Sequence, residues 1–193
     1  YYDPLIGSSI SKLFQPNTKV IYTESPGSHT FEIQDIPAIA DAAHKENIKV
    51  VMDNTWGAGY FFKPFEHGVD ISVQAATKYF VGHSDAMIGT ISMSGENIEP
   101  VVNSVQILGY NISPDDAYLA LRGLRTLNVR LKRHETSALK IAKWLSNRPE
   151  IDRILHPALS SCPGHEIWQR DFSGSNGLFG VVFKPLSKRA MHT

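Results

Sequence analysis

The feature that most constrains the fold is a strand, a helix and a second strand that follow one another near the start of the chain. Residues 19–24 (Lys-Val-Ile-Tyr-Thr-Glu) have the β-branched and aromatic composition of a strand. Residues 36–43 then carry apolar side chains at helical spacing, with Asp35 as the predicted N-cap and Pro37 in the first turn. Residues 48–55 predict the second strand. A helical connection of this length places two strands parallel in one sheet.

Two further strands are predicted along the chain. Residues 69–76 form one, and residues 87–93 form the next after a tight turn at residues 82–85. The strands are almost continuously apolar, so we expect helices to cover both faces of the sheet. The first half therefore predicts an α/β fold with a mainly parallel sheet sandwiched by helices.

The second half of the chain is predicted to begin with one long helix. Ser113 is suited to be its N-cap and Pro114 its first residue. Apolar residues then recur every three or four positions as far as Leu145, a span of about 30 residues. Gly123 within this helix costs about 1 kcal/mol relative to alanine, which indicates close packing at that position.

The long helix is also where we place a domain boundary. Residues 1–126 are assigned to the larger domain, and residues 127–193 to the start of a smaller α+β domain, with a strand predicted at 178–183. The sequence starts at Tyr1 and stops soon after that strand, so we expect the 193 residues to be a piece of a longer protein.

Composition narrows the classes of partner and compartment. Nineteen basic and nineteen acidic residues balance, and no basic block or basic amphipathic helix predicts a nucleic acid or membrane-surface partner. No apolar run approaches the roughly 20 residues that span a bilayer. Cys162 is the only cysteine, which excludes an internal disulfide and favours a cytoplasmic location.

The candidate catalytic and cofactor-binding residues lie where the predicted strands end. Asp53 lies near the end of one strand, and Thr77 and Lys78 follow the next. Ligands of open α/β sheets bind beyond the carboxyl ends of parallel strands, so these side chains are expected at one edge, with the amine in a desolvated environment. An amine that can bind an aldehyde and an acid that can face a pyridine nitrogen match the needs of pyridoxal phosphate (PLP). Thr77 would offer a hydroxyl to the phosphate.

Other interpretations of the same residues are weaker. A lone strand-end lysine is usually solvated, and Asp53 alone would most often be a turn acid. Residues 82–86 (Gly-His-Ser-Asp-Ala) nearly match a hydrolase nucleophile elbow, but a strand, not a helix, is predicted to follow. Residues 57–59 lack the third glycine of a dinucleotide loop, and the histidines show no zinc-ligand spacing. His134 is expected to be solvated or to pack on its helix, and Trp56 to be a core or interface residue, although Trp56 could also line the pocket.

Together these segments resemble the PLP-dependent enzymes of cysteine and methionine metabolism. The resemblance rests on residues 53–56 (Asp-Asn-Thr-Trp), 74–79 (Gln-Ala-Ala-Thr-Lys-Tyr), 82–89 and 122–127 (Arg-Gly-Leu-Arg-Thr-Leu). It covers the whole chain and implies the PLP-dependent transferase-like fold, also called aspartate aminotransferase fold type I. Residues 3–7, 24–28 and 170–174 are most similar to the cystathionine β-lyase branch.

The resemblance implies roles for single residues. Lys78 matches the lysine that binds PLP and acts as the base, Asp53 the partner of the pyridine nitrogen, and Thr77 a phosphate-binding hydroxyl. Many γ-lyases and γ-synthases have a serine where this chain has Ala75, and an asparagine where it has Ser28. Ala75 therefore favours the β-lyase branch, whereas Ser28 receives no role.

The implied activity is cleavage of the amino acid L-cystathionine to homocysteine, pyruvate and ammonia in methionine biosynthesis. A cystathionine γ-lyase or γ-synthase, or a methionine γ-lyase, remains an alternative. The family also uses a glycine loop, a ring-stacking tyrosine and a C-terminal arginine, and its dimers share active sites within a tetramer. Those groups fall outside the 193 residues. A third alternative is therefore that this chain by itself is catalytically silent.

Overall fold

The computed structural model describes residues 1–93 and 95–185. The strands of this part are β1 (Val20–Glu24), β2 (Lys49–Asp53), β3 (Ile71–Gln74), β4 (Thr90–Met93), β5 (Ile151–Leu155) and β6 (Gly180–Phe183). The α-helices are α1 (Ile36–His44), α2 (Ile98–Ile107), α3 (Pro114–Leu124), α4 (Leu127–Ser146) and α5 (His165–Asp171). Short 3₁₀ helices occupy Gly7–Leu13, Pro64–His67 and Gly95–Asn97.

The larger sheet confirms the predicted α/β architecture. Its strand order is β1-β2-β3-β4, with β1, β2 and β3 parallel and β4 antiparallel to β3. The register aligns Glu24 with Asp53 and Asp53 with Val73. The predicted strand–helix–strand unit is thus formed by β1, α1 and β2.

Helix α1 shows why the local sequence folds as predicted. The Asp35 carboxylate accepts a hydrogen bond from the Ala38 backbone N–H at 3.2 Å, which confirms the N-cap. Ile36 and Ile39 are fully buried, as are Val50 and Met52 of β2. Each such side chain contributes about 1.5–3 kcal/mol by leaving water, so packing of α1 on the sheet stabilises this unit.

The predicted sheet flanked by helices is confirmed, but the described residues bury its two faces to different extents. Along β2, Val50 and Met52 are buried, whereas the alternating residues Lys49, Val51 and Asp53 are only partly buried. On the opposite face of β1, Tyr22 remains 58% exposed. The apolar run predicts two covered faces, but α1 lies on one of them only. We call the other one the open face of the sheet.

The strands are shorter than their apolar runs. The run at 69–76 forms a strand only from Ile71 to Gln74, and the run at 87–93 only from Thr90 to Met93. Backbone pairing limits them, since β3 pairs with β2 at three positions and with β4 at four. Hydrophobicity continues beyond the ladder because the flanking turns are also partly buried.

The single long helix predicted from 113 to 145 is also wrong, because two helices replace it. Ser113 does cap α3, since its Oγ accepts from the Asp116 N–H at 3.0 Å. Helix α3 ends at Leu124, Arg125 keeps helical dihedral angles, and Thr126 departs from them with φ −111° and ψ 6° before α4 begins. Apolar spacing does not detect a break of two residues, because the three- and four-residue spacing of Leu121, Leu124, Leu127 and Leu131 continues across it.

The C-terminal part contributes to two cores. Helix α4 packs on the antiparallel β5–β6 pair through Ala142, Ile151 and Ile154. Leu131 and Phe172 instead join the core beneath the larger sheet. The boundary at residue 126 stays a prediction, and residues 186–193 of the predicted second domain lie outside the described residues. Among the described helices, none is both long and apolar enough to cross a bilayer.

Candidate active site

The candidate site lies at the carboxyl edge of the parallel strands. Asp53 is the last residue of β2, beside Glu24, the last residue of β1. Lys78 lies in the turn at residues 76–81 that follows β3. The structure therefore brings the acid and the amine to the same edge of the sheet, as the strand order predicts.

The Asp53 side chain is oriented by residues that are close to it in the sequence and in the sheet. One carboxylate oxygen, Oδ1, accepts from the Thr55 backbone N–H at 2.8 Å, and the side chain is partly buried on the open face. Tyr22 and Glu24 lie on the same face. Burial raises the pKa of the Tyr22 phenol, and the carboxylates of Asp53 and Glu24 raise it further. The edge around Asp53 is therefore negatively charged.

Thr55 has a structural role that the sequence analysis missed. Its hydroxyl oxygen accepts from the Ala75 backbone N–H at 2.8 Å, which joins the segment after β2 to the segment after β3. The available signal was a hydroxyl residue two positions after an acid, a spacing typical of side-chain-to-backbone turns. Asp53 and the approach to Lys78 are thus tied together through Thr55.

Lys78 differs from the sequence prediction in its environment. The side chain is exposed, not desolvated, among the described residues. The physical reason is that β3 ends at Gln74, so the lysine belongs to a turn and not to the buried strand. Its backbone is well ordered by hydrogen bonds, because the Lys78 N–H donates to Ala75 at 3.0 Å and its carbonyl accepts from Gly82 at 2.8 Å.

Thr77 is bonded to the segment that leads into β4. Its backbone N–H donates to the Ile88 carbonyl at 3.1 Å. Its hydroxyl oxygen accepts from the Ile88 N–H at 2.7 Å, and the hydroxyl donates to the Ile88 carbonyl at an oxygen–oxygen distance of 3.3 Å. The hydrogen bond that the hydroxyl accepts is short and the one that it donates is long, so the hydroxyl could instead donate to a phosphate oxygen.

The aromatic and histidine residues near the site pack as expected. The Tyr79 and His134 rings lie 6.0 Å apart, and burial raises the pKa of the Tyr79 phenol to about 12. Trp56 is buried in the core, where its indole N–H donates to the Leu178 carbonyl at 3.0 Å. It belongs to the core and not to the edge that carries Lys78. Ser84 is followed by β4, which does not match a nucleophile elbow.

Comparison with known proteins identifies the class to which this arrangement belongs. A solved structure, "Crystal structure of metB from Corynebacterium glutamicum", superposes with a TM-score of 0.90 at 34% identity, covering 94% of this chain and 48% of that one. The fold is therefore the PLP-dependent transferase-like fold.

The sequence comparisons define the family. The profile of the family described as "Cys/Met metabolism PLP-dependent enzyme" matches residues 1–192. The "Cystathionine beta-lyase" of Haemophilus influenzae is 55% identical over 181 residues, which are 93% of this chain and 46% of that protein. The "Cystathionine beta-lyase MetC" of Escherichia coli is 50% identical over 186 residues, 95% of this chain and 47% of that protein. The chain belongs to the Cys/Met metabolism family of PLP-dependent enzymes, and it spans about half the length of these relatives.

The residues at the carboxyl edge fit the cofactor of that family. Lys78 offers an accessible amine, Asp53 a carboxylate oriented by Thr55, and Thr77 a hydroxyl with a weakly used proton. An amine, an acid and a hydroxyl are the donor set that an aldehyde, a pyridine nitrogen and a phosphate require. PLP is thus the cofactor for which this part of the chain is suited.

Proposed function

We propose that the protein containing this chain is a PLP-dependent carbon–sulfur β-lyase. Its reaction is the cleavage of L-cystathionine, with water, to homocysteine, pyruvate and ammonia. The observation that carries the proposal is the placement of Lys78 and Asp53 at one carboxyl edge in a chain of this family. The relatives named as cystathionine β-lyases support the substrate and the position of the cleaved bond.

The residues of this chain divide the work of that reaction. PLP, when bound, supplies an electron sink for the charge that forms at the substrate α-carbon. We assign to the Lys78 Nζ the removal of the α-proton and the later delivery of a proton to the leaving sulfur. When PLP is bound, Asp53 would provide a carboxylate that keeps the pyridine nitrogen protonated, and the Thr77 hydroxyl would donate a hydrogen bond to the phosphate. The exposed turn around Lys78 leaves its amine free to reach both atoms.

Ala75 supports β-cleavage over γ-cleavage. The family resemblance implies a serine at this position in many γ-lyases and γ-synthases. In this chain the Ala75 backbone N–H is bonded to Thr55, and its methyl side chain offers no donor to a phosphate. A cystathionine γ-lyase or γ-synthase, or a methionine γ-lyase, remains the second candidate.

Product analysis of the full-length protein with L-cystathionine tests the reaction. A β-lyase releases pyruvate and homocysteine, whereas a γ-lyase releases 2-oxobutyrate and cysteine. Pyruvate formation is the expected result, and 2-oxobutyrate as the main keto acid would overturn the β-assignment. We also expect no turnover from the 193-residue chain alone, because it spans about half the length of its relatives.

Borohydride reduction of the PLP-loaded protein tests the site. Reduction makes the bond between cofactor and lysine permanent, so that the labelled peptide can be mapped. We expect the label on Lys78, and a label on another lysine such as Lys63 would reject the assignment.

We further propose that the protein is a cytoplasmic homotetramer, built from dimers that share active sites. Residues 1–126 would then form most of the PLP-binding domain, and residues 127–193 the start of the C-terminal domain. The buried, unpaired thiol of Cys162 suits a reducing compartment. Light scattering of the full-length protein measures the assembly, and mixing two variants inactivated at different sites tests for shared sites.

A further inference from the structure

Arg130 connects the Lys78 turn to the helices behind it. Its Nη2 donates to the Tyr79 carbonyl at 2.7 Å and to the Gly123 carbonyl at 2.8 Å. Its Nε donates to the Thr126 hydroxyl at 3.0 Å. A single guanidinium on α4 therefore joins the backbone immediately after Lys78 to the end of α3 and to the break between the two helices.

The carbonyls that Arg130 binds differ in their other partners, because the Gly123 carbonyl also accepts from the Thr126 N–H and hydroxyl. Within the described residues, the Tyr79 carbonyl is hydrogen-bonded by Arg130 alone, and the next carbonyl, of Phe80, lies 3.5 Å from the same nitrogen. The Gly123 carbonyl lies in the last turn of α3, where the helix dipole is negative. The partly buried carbonyl oxygens of Tyr79, Phe80 and Gly123 thus lie around one guanidinium, whose positive charge interacts favourably with all three.

Two glycines make room for this contact. Gly82 has a φ of 79°, which favours glycine, and a Cβ at this position would strike the Arg130 guanidinium. A Cβ at Gly123 would overlap the carbonyl oxygens of Phe80 and Val81. The turn and the helix end therefore approach more closely than residues with side chains would allow, and Arg130 occupies the space between them.

The geometry requires a guanidinium. Nε binds Thr126 in the helix break while Nη2 binds the Gly123 carbonyl in the last turn of α3, and this simultaneous binding depends on the planar fork of arginine. A lysine ammonium at this position carries the same charge but concentrates its donors at one point. It can reach the Tyr79 carbonyl or the Thr126 hydroxyl, but it cannot hold both in the same arrangement.

We propose that Arg130 is the positioning residue for Lys78: it fixes the turn at residues 76–81 so that the lysine amine is presented at the same carboxyl edge as Asp53. Arg130 acts through the Tyr79 and Phe80 carbonyls and does not touch substrate or cofactor. The inference rests on the proposed role of Lys78, and it adds that Arg130 is the residue that holds the amine in position.

Hydrogen–deuterium exchange of the full-length, cofactor-free protein tests the placement without any turnover. In Arg130→Lys we expect the amides of Lys78, Val81 and Gly82 to exchange about tenfold faster, while those of β1 and β2 keep their rates. Arg133→Lys, an exposed arginine on the same helix, is the matched control and should leave all rates unchanged. Thr126→Val removes the Nε partner together with the bond that the hydroxyl donates to the Gly123 carbonyl, and it should accelerate the same amides by a smaller factor, because the bonds from Nη2 remain.

Kinetics of the loaded protein provide the second measurement. Arg130→Lys should lower kcat about tenfold with little change in KM, because the base is misplaced while the substrate contacts remain. Unchanged exchange in the turn, or faster exchange spread equally over β1 and β2, would overturn the inference. Lys78→Ala tests the proposed function separately from the role of Arg130. Cofactor attachment that survives in this variant would reject the role of the lysine itself.

Discussion

Asp53 and Lys78 lie at the same edge of the sheet but are held there in different ways. Asp53 is the last residue of a strand, and its carboxylate is oriented by a backbone N–H two residues away. Lys78 lies outside any strand, in a turn that is supported by Arg130 and Gly123, about fifty residues further along the chain.

The difference shows how local and distant interactions share one site. The position of the acid follows from the strand register, so it is determined once β1, β2 and β3 pair. The position of the amine depends on packing of the α3–α4 junction against the turn. Substitutions near Asp53 should therefore change its chemistry alone, whereas substitutions far from Lys78 should displace it.

The largest effect is expected from removing the amine. Lys78→Ala in the full-length protein should lower turnover of cystathionine by a factor of about 1,000 or more, because the variant lacks the amine that we propose moves both protons. The visible absorption of the lysine-bound cofactor should also be lost. Lys132→Ala, an exposed lysine on α4, is the control and should retain activity. Comparable activity in the two variants would contradict the assignment.

Gly123→Ala should disrupt the packing of α3 against the turn at residues 76–81. The added methyl group would overlap the Phe80 and Val81 carbonyl oxygens, so α3 or the turn must move. We expect a loss of about 3 kcal/mol in the free energy of unfolding, measured by urea denaturation. Gly27→Ala is the matched control, since its Cβ would meet only the Thr30 hydroxyl, at 3.7 Å. Equal stability of the two variants would show that the close approach is not required.

Asp53→Asn should change chemistry with little change in structure. The asparagine oxygen can still accept from the Thr55 N–H, so the turn is retained. The charge that favours a protonated pyridine nitrogen is removed, and kcat should fall about 100-fold. Thermal unfolding of the cofactor-free protein should stay close to that of the wild type. A large loss of stability would show that Asp53 is held by more than its local turn.

Asp70 offers a contrast at the opposite edge of the sheet. Burial opposes its ionisation, but the Val50 N–H at 2.7 Å, His44 and Lys49 outweigh that effect and lower the pKa of the Asp70 carboxyl. A lowered pKa means that the ionised form stabilises the fold above the ordinary value of 3.8 and that this stability is lost as the pH falls through the folded value.

Asp70→Asn should therefore show the smallest effect, confined to stability. We expect it to lower the free energy of unfolding by about 1 kcal/mol at neutral pH, and the difference from the wild type should shrink below about pH 4. Denaturation curves at several pH values measure this. Turnover at neutral pH should be unchanged, because Asp70 is far from the carboxyl edge. A fall in kcat would show that the two edges are coupled.

The predictions from sequence succeeded where one residue or one short pattern decides the outcome. Asp35 and Ser113 cap their helices as their positions indicate, and the spacing of β1, α1 and β2 predicts a parallel pair. The errors concern how far an element extends. The helix break at Thr126 and the end of β3 at Gln74 follow from contacts with distant segments, which apolar spacing does not record.

The sequence by itself determined the α/β class, the family and the edge of the sheet at which an acid and an amine would meet. These follow from hydrophobic periodicity and from short motifs, which are properties of neighbouring residues. Only the tertiary structure decided that Lys78 is exposed, that the Thr77 hydroxyl is bonded to Ile88, and that Arg130 holds the turn. The physical reason is that hydrogen bonds and close packing between distant segments depend on positions in space, which exist only after the chain has folded.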